Sequence, residues 1–215
     1  RVLQAYGLTE IGGPSHVTPI DNDDLTVLES IGLPYSDTEQ KVVDSETGMK
    51  ELTTGEVGEL CLRGPQVMQG YWKAPEATAS ILRDGWFYTG DIGFIDAQGY
   101  VFLQDRKKEL IKYKGFSIAP AELEALLLDH PAVADAAVIG KPDEEAGEVP
   151  KAFVVRKADC PHVTAGELLS FATGRLASYK TLREIEFIGA IPKSPTGKIL
   201  RRVLKELEAQ KHNHE

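Results

Sequence analysis

The stretch DRKKELIKYKGFSIAPAELE, residues 105–124, marks the position at which the character of the chain changes. Before it lie short apolar runs separated by glycine-containing turns, which predict a β-rich region. After it, helical and strand patterns alternate, which predicts a compact α+β module of about 105 residues, large enough to bury its own core. The basic residues near its start therefore predict a join between two domains, residues 1–107 and residues 108–215.

Three segments before this join have the pattern of β-strands: EVGELCLRG, GWFYTGDIGFID and GYVFLQDR. In the first, Leu60 and Leu62 alternate with other residue types, which is the period of two expected of a strand. The residues Asp96-Ala-Gln-Gly99 between the other two predict a hairpin turn. PEATASIL, residues 75–82, predicts a short helix with Pro75 in its first turn.

Three helices and three strands are predicted after the join. The strand patterns are ADAAVIG, KAFVVRK and REIEFIGAIP. One helix begins at Pro120 and ends before Pro131, and a second is opened by the capping box from Thr164 to Glu167. Periodicity predicts apolar faces at Leu123, Leu126 and Leu127 in the first helix, at Leu168, Phe171, Ala172 and Leu176 in the second, and at Leu200, Val203, Leu204 and Leu207 in the last.

Composition and residue spacing exclude several function classes. Acidic residues outnumber basic ones, 33 to 24, so a general nucleic-acid binder with a net basic face is not expected. No apolar run is long enough to cross a bilayer. Cys61 and Cys160 lie far apart, Cys61 inside an apolar run where burial is expected, and no zinc site is predicted. The ending HNHE lacks a peroxisomal signal, so the cytoplasm is the expected location.

The stretch IPKSPTGKILRR, residues 191–202, places Lys198 behind a turn at the start of a helical pattern. It is not a phosphate-binding P-loop, because Pro192 stands where the first glycine is required and Ile199 follows the lysine. Pro192 and Pro195 restrict the chain and Gly197 permits the sharp bend, so the lysine is a point charge on a constrained support. Such a charge can stabilise a developing oxyanion, and the alternative is a solvated lysine at a helix start.

Five segments occur together in a characteristic order: YGLTE, GELCLRGPQVMQGYW, DGWFYTGD, the stretch at residues 105–124, and PKSPTGKILR. In this the chain resembles the adenylate-forming superfamily, which includes acyl- and aryl-CoA synthetases, beetle luciferases and peptide-synthetase adenylation domains. It is most similar to 4-coumarate–CoA ligases, luciferases and fatty-acyl-CoA ligases. The resemblance implies an α+β fold: a β-rich, distorted barrel-like part of a large AMP-binding domain, then a mobile C-terminal domain whose central short sheet is flanked by helices.

The resemblance also implies an activity. Members adenylate a carboxylic acid, aryl or fatty, with ATP and Mg²⁺, and then transfer the acyl group to CoA with release of AMP. The family's phosphate loop and most of its acid pocket are not in this sequence, so the rest of the N-terminal domain is an expected partner and the chain alone is expected to be inactive. Two alternatives stay open: a luciferase-like or amino-acid-adenylating enzyme, and a non-catalytic nucleotide-binding module.

The residue roles implied by the resemblance fall into two groups. In the nucleotide group, Tyr6 stacks on adenine, Thr9 donates to the α-phosphate, Asp91 accepts from the ribose hydroxyls, and Gly7 and Arg106 also contact the nucleotide. Glu10 holds Mg²⁺ as a hard oxygen ligand. Ile11 and Gly12, with Gly13, flank the acyl pocket.

The second group acts through movement of the C-terminal domain. Lys198 is implied to contact the substrate carboxylate and α-phosphate during adenylation, whereas Lys112 approaches the adenylate from another face during thioester formation. Lys114 and Gly115 line the path of CoA, and Lys108 is the hinge. The chain departs from many 4-coumarate-ligase-like sequences at Ser117, where they have glutamine, and this puts a strict hydroxycinnamate specificity in doubt.

Overall fold

The computed structural model describes residues 2–21 and 24–212. The chain divides between Lys108 and Glu109 into two compact units, each with its own core. Among the described residues, no helix is both long enough and apolar enough to span a membrane.

The first unit is built mainly from antiparallel strands. Its elements are β1 (Ala5–Leu8), β2 (Gly13–Val17), β3 (Leu33–Pro34), β4 (Glu39–Val43), β5 (Gly58–Arg63), α1 (Pro75–Ile81), β6 (Leu82–Arg83), β7 (Trp86–Ile95) and β8 (Val101–Arg106). Strands β1, β2 and β3 form one sheet in that order. A second sheet has the order β4-β5-β7-β6, with β8 also paired to β7, and it curls into a half-barrel.

Strand β7 organises the larger sheet, because it pairs with β5, β6 and β8. The three predicted strands and the hairpin turn at Asp96 are confirmed, and so is the burial of Cys61. Burial raises the pKa of the Cys61 thiol to about 12, so the thiol stays protonated at neutral pH. The alternation of residue types in β5 does not separate a solvent-exposed face from a buried face, since Glu59 is also buried.

The second unit is a five-stranded sheet with helices on both faces, which confirms the predicted α+β fold class. Its elements are β9 (Ile111–Tyr113), β10 (Phe116–Ile118), α2 (Pro120–Leu128), β11 (Val133–Asp143), β12 (Gly147–Arg156), α3 (Ala165–Ala172), β13 (Glu184–Phe187) and α4 (Arg201–His212). The strand order is β10-β9-β12-β11, and β13 runs parallel to β12.

The alternation of side chains along β12 places two cores on the two faces of this sheet. Ala152 and Val154 belong to the cluster that includes buried leucines of α2 and α3, whereas Phe153 packs with Leu204 of α4. The capping box of α3 has both of its hydrogen bonds. That helix ends earlier than predicted, so Leu176 packs against the core from beyond the helix.

The predicted apolar face of α4 is partly wrong. Leu204 is fully buried, but Leu207 is 44% exposed, and Leu200 precedes the helix and is 40% exposed. The helix instead turns Glu208 inward, where its carboxylate accepts a hydrogen bond from Lys151 Nζ at 2.6 Å. A buried ion pair has taken the place of an apolar contact, because the facing strand carries a lysine at that position.

Lys151 is the centre of a larger charge cluster that joins α4 to the sheet. Its side chain is 2% exposed, and Nζ lies 2.6 Å from Glu184 and 3.0 Å from Glu186 in addition to Glu208. Burial alone would lower the pKa of Lys151, but the hydrogen bonds to the three carboxylates outweigh it and hold that pKa above its ordinary value. For Glu184 and Glu186, burial alone would raise the pKa. Their lysine partners outweigh burial and hold the pKa of each carboxyl below its ordinary value.

This cluster predicts how the stability of the second unit depends on pH. A lowered carboxyl pKa gives stabilisation that is complete above the ordinary value of 4.5 and is lost as pH falls through the folded-state values. A raised ammonium pKa gives stabilisation that is complete below 10.5 and is lost as pH rises through the folded-state value. Hydrogen exchange of β12 amides is therefore expected to show a plateau of protection between these two limits.

Replacing Lys151 by methionine is expected to destabilise the second unit by about 3–5 kcal/mol, because the buried carboxylate of Glu208 loses its cation at 2.6 Å. The measurement is the free energy of opening of β12 amides at neutral pH. The matched control is Lys157→Met, which removes an exposed lysine just beyond the same strand and should cost little. Equal protection in the two variants would contradict a stabilising role for the cluster.

Candidate active site

A buried carboxylate, Asp91, lies at the centre of the predicted nucleotide residues of the first unit. The antiparallel register of β7 and β8 pairs Asp91 directly with Arg106. The Asp91 side chain is 6% exposed, with Oδ1 3.0 Å from Arg106 Nε. Tyr6 Oη donates to its other oxygen, Oδ2, at 2.5 Å. The structure thus brings three predicted site residues into one hydrogen-bonded group.

The electrostatics of this group keep Tyr6 a donor. Burial, and then the charge of Asp91, raise the pKa of the Tyr6 phenol, so it holds its proton across the physiological range. Burial raises the pKa of Asp91 as well, although the hydrogen bond from Tyr6 and the charge of Arg106 oppose the rise. The Tyr6 ring also meets the buried His16 ring edge-on, at 5.9 Å between centroids.

A second buried carboxylate, Glu59, supports the turn that carries Asp91. It is 3% exposed; Oε1 accepts from the backbone N–H of Gly90 at 3.1 Å, and Oε2 accepts from Lys107 Nζ at 2.7 Å. Gly90 has a φ of 73°, a left-handed conformation that favours glycine. Residues of this turn and of the 106–108 segment line a cavity of about 290 Å³: Thr89, Gly90, Arg106, Lys107 and Lys108.

The YGLTE segment runs from β1 into a short 3₁₀ helix, Thr9–Ile11, that Gly12 ends with a φ of 66°. Gly7 allows a close approach of β1 and β2, since a Cβ there would lie 2.4 Å from the carbonyl oxygen of Gly13. Thr9 is exposed at the start of the 3₁₀ turn. Ile11, in contrast, is 1% exposed and belongs to the apolar core with Leu60, so its side chain faces the interior of this unit.

Glu10, the predicted metal ligand, is held by the loop before α1. Tyr71 Oη donates to Glu10 Oε1 at 2.6 Å, and the backbone N–H of Met68 donates to the Glu10 carbonyl at 2.8 Å. In the described part of the chain, no group of three or more His, Cys, Asp or Glu side chains could hold a metal by itself. A single carboxylate still fits Mg²⁺, which is commonly held by one or two carboxylates together with substrate phosphates and water.

In the second unit, Lys112 lies on β9 with an exposed side chain. Its Nζ donates to Ser117 Oγ, directly across the hairpin, at 2.7 Å. Its backbone N–H donates to Glu148 Oε2 at 2.8 Å. The serine that replaces the family's glutamine is therefore in contact with the predicted catalytic lysine.

Lys114 and Gly115 form the two-residue turn between β9 and β10. Their φ values are 47° and 84°, and positive values at both positions are those of a tight hairpin turn. This backbone conformation explains the glycine without any ligand, and a Cβ at Gly115 would meet no atom within 4 Å. The predicted contact with CoA stays a prediction.

Lys198 is exposed near the tip of a small hairpin. The backbone N–H of Ser194 donates to the Lys198 carbonyl at 2.8 Å, and the N–H of Gly197 donates back to Ser194 at 2.9 Å. An isolated bridge pairs Lys193 with Ile199 and closes the hairpin. Lys193 Nζ also reaches Asp135 on β11 at 2.6 Å.

The two lysines are supported at opposite ends of the sheet in the second unit. Tyr113, beside Lys112, pairs with Gly147 at the start of β12, whereas Asp135 pairs with Val155 near its end. These partners are eight residues apart on β12. The corresponding distance along a strand is roughly 26 Å at the usual rise of about 3.3 Å per residue. Lys112 and the Lys193–Asp135 contact of the Lys198 hairpin therefore lie at separate ends of the sheet.

Lys108, the predicted hinge, is exposed in the 3₁₀ turn Lys107–Glu109, at the boundary of the two units. Its neighbour Lys107 is fixed to the first unit through Glu59. Sequence reasoning missed Glu59, Lys107 and Tyr71 as supporting residues. Two signals were available in the sequence. Glu59 is a charged residue within the apolar run of β5, and Tyr71 lies in the motif GELCLRGPQVMQGYW, residues 58–72.

Comparison with known proteins agrees with the five sequence motifs. The family model described as AMP-binding enzyme matches residues 1–72, and the model for the AMP-binding enzyme C-terminal domain matches residues 122–198. The chain is 48% identical over 208 residues to 4-coumarate–CoA ligase 2 of Nicotiana tabacum, covering 95% of this chain and 38% of that protein. It is 47% identical over 212 residues to 4-coumarate–CoA ligase 1 of Glycine max, covering 95% and 71%.

A solved structure gives the same family. The crystal structure of ATP-bound MatB from Rhodopseudomonas palustris aligns with a TM-score of 0.88 at 37% identity, over 96% of this chain and 40% of that one. The chain thus spans about two-fifths of the length of the tobacco ligase and of MatB. With both family models matched and these relatives alike in sequence and fold, the chain belongs to the adenylate-forming superfamily of AMP-binding enzymes.

Proposed function

We propose that the chain is the C-terminal portion of an AMP-forming acid–CoA ligase, which joins a carboxylic acid, aryl or fatty, to CoA through an acyl-adenylate. The observation that carries this proposal is that Lys112 and the Lys193–Asp135 contact of the Lys198 hairpin lie at opposite ends of one small sheet. In the proposed mechanism, each of the two steps at the carbonyl uses one of the two lysines. The longer protein is called the intact enzyme below.

In the adenylation step, Asp91 would accept hydrogen bonds from the ribose hydroxyls, since a carboxylate has two acceptor oxygens for a vicinal diol. Tyr6 and Arg106 hold that carboxylate in place. The Tyr6 ring would stack on adenine. Thr9 would donate to the α-phosphate. Glu10, fixed by Tyr71, would hold Mg²⁺, which neutralises phosphate charge when bound.

Lys198 would stabilise the charge that develops while the substrate carboxylate attacks the α-phosphate and pyrophosphate leaves. In the second step the thiolate sulfur of CoA attacks the acyl carbon, the bond from that carbon to the phosphate oxygen breaks, and AMP leaves. Lys112 would then stand beside the carbonyl, with Lys114 and Gly115 along the thiol path. A change of a few backbone angles at Lys108 suffices to exchange the two arrangements.

The test is product analysis of the intact enzyme with ATP, CoA and a panel of aryl, medium-chain and long-chain acids. The expected result is one AMP, one pyrophosphate and one CoA thioester per acid consumed. A bound adenylate that ignores CoA would contradict the ligase assignment. An oxygen-dependent product would favour a luciferase-like enzyme, and transfer to a carrier protein would favour an amino-acid-adenylating one.

The chain of residues 1–215 alone is proposed to bind ATP weakly and to catalyse no turnover, because the family's phosphate loop is not part of this sequence. Calorimetric titration with ATP and a thioester assay of this chain would check both points. Robust acyl-CoA synthesis by this chain alone would contradict the proposal.

Asp91→Asn in the intact enzyme is expected to weaken ATP binding by about 10- to 100-fold, since hydrogen bonds to charged groups contribute about 1.5–3 kcal/mol. The substitution also leaves Arg106 without its carboxylate partner. The measurement is the dissociation constant of ATP. Asp96→Asn is the matched control, because Asp96 caps the turn at the other end of the same hairpin and should leave ATP affinity unchanged. Unaltered affinity in Asp91→Asn would remove this residue from the nucleotide site.

A further inference from the structure

A buried ion pair holds the chain just after the Lys198 hairpin. Arg201, the first residue of α4, donates from Nη2 to both oxygens of Glu124 on α2, at 2.8 Å and 2.7 Å. Its Nε donates to the carbonyl of Val138 on β11 at 3.2 Å. The N–H of Val138 in turn donates to Glu124 Oε1 at 2.8 Å. Three elements, α2, β11 and α4, are thus joined by one closed set of hydrogen bonds.

The pair is shielded from solvent. The side chain of Arg201 is 14% exposed and that of Glu124 is 9% exposed. A charge in such a place is costly unless it is paired and hydrogen-bonded, so removing either partner has a large effect. A guanidinium with several fixed donors also defines an orientation, which a lysine in the same place does not.

Among the described residues, few other side-chain contacts fix the direction of the Lys198 hairpin. Its tip, including Lys198, is exposed and adds no apolar burial. Its apolar contacts lie at its base, where Ile191 is buried and Ile199 packs against the same cluster. The ion pair between Lys193 and Asp135 is partly exposed, and exposed pairs of this kind contribute little.

We propose that Arg201 and Glu124 are positioning residues for Lys198. Arg201 follows Lys198 by three residues, so fixing its guanidinium against α2 and β11 sets the position of the chain where it leaves the hairpin. This inference rests on the proposed function and adds two residues that act on one of its two steps. Lys112 lies on β9, which is not one of the three elements that the pair joins.

The consequence is a selective defect. If the pair orients Lys198, loosening it slows adenylation and leaves thioester formation from supplied adenylate unchanged. A displacement of about 1 Å at a reacting group can cost on the order of 100-fold in rate, so a 10- to 100-fold loss of adenylation is expected. ATP affinity should change far less than the adenylation rate, because the Asp91 group belongs to the first unit.

The experiment uses Arg201→Lys and Glu124→Gln in the intact enzyme. Arg201→Lys keeps a cation opposite Glu124, so a buried charge is not left alone, but it removes the forked donor set. Each half-reaction is measured separately, together with the ATP dissociation constant and the thermal unfolding temperature. The matched controls are Arg202→Lys and Glu206→Gln, which alter the neighbouring pair of the same helix, 81% and 52% exposed.

The expected result is slow adenylation with normal thioester formation in both test variants and wild-type rates in both controls. Equal loss of both half-reactions would assign the pair a purely structural role and overturn the inference, as would undiminished adenylation in both variants. A wild-type enzyme that forms no adenylate from any acid would instead contradict the proposed function, so the two failures are distinguishable.

Discussion

Replacing Lys198 by alanine in the intact enzyme is expected to lower the rate of adenylation by about 10²–10³, the usual cost of removing one donor to a developing oxyanion, or about 3–4 kcal/mol. Thioester formation from supplied acyl-adenylate should continue. The reason is positional: Lys198 extends from an exposed hairpin whose Lys193 contacts Asp135 at one end of the sheet in the second unit. Lys112, which would serve the second step, lies at the other end.

Pyrophosphate release with ATP and acid measures the first half-reaction, and AMP release from supplied adenylate with CoA measures the second. Lys193→Ala is the matched control, because Lys193 lies in the same hairpin but pairs with Asp135. It should retain most of the adenylation rate. Comparable losses in Lys193→Ala and Lys198→Ala would show that any change in the hairpin is harmful and that Lys198 has no special part.

Replacing Lys112 by alanine is expected to do the reverse: pyrophosphate release continues, and CoA-dependent AMP release falls by about 10²–10³. The ammonium group of Lys112 is held by Ser117 Oγ at 2.7 Å, and the Lys112 side chain is exposed on the β9–β10 hairpin. Lys157→Ala, at an exposed site of the same unit, controls for loss of positive charge. A slow first half-reaction in Lys112→Ala would contradict this division of roles.

Most of the fold could be predicted from local patterns. The capping box at Thr164 and the proline at the start of α2 gave helix starts that the structure confirms, since these signals depend only on neighbouring residues. The inward face of α4 could not be predicted in the same way. Glu208 is buried because Lys151 faces it from another element, and a pairing over 57 residues of sequence leaves no trace in helical periodicity.

In the candidate site, too, local patterns predict some contacts, whereas others depend on long-range packing. The pairing of Asp91 with Arg106 follows from the hairpin that the turn at Asp96 predicts, because antiparallel strands bring residues together on either side of a turn. The contact of Tyr71 with Glu10 spans 61 residues and depends on how the loop before α1 folds back. Motifs indicate which residues matter, whereas long-range packing decides which side chains hold them in place.

The two-stage use of the lysines is tested most directly by following acyl-adenylate and AMP by rapid quench in the Lys112→Ala enzyme. ATP and acid are supplied first, and CoA is added afterwards. The mechanism predicts that nearly one adenylate per active site accumulates and then persists for a long time in the presence of CoA. Failure to accumulate adenylate, or its conversion to thioester at the wild-type rate, would contradict the claim that each lysine serves a different step.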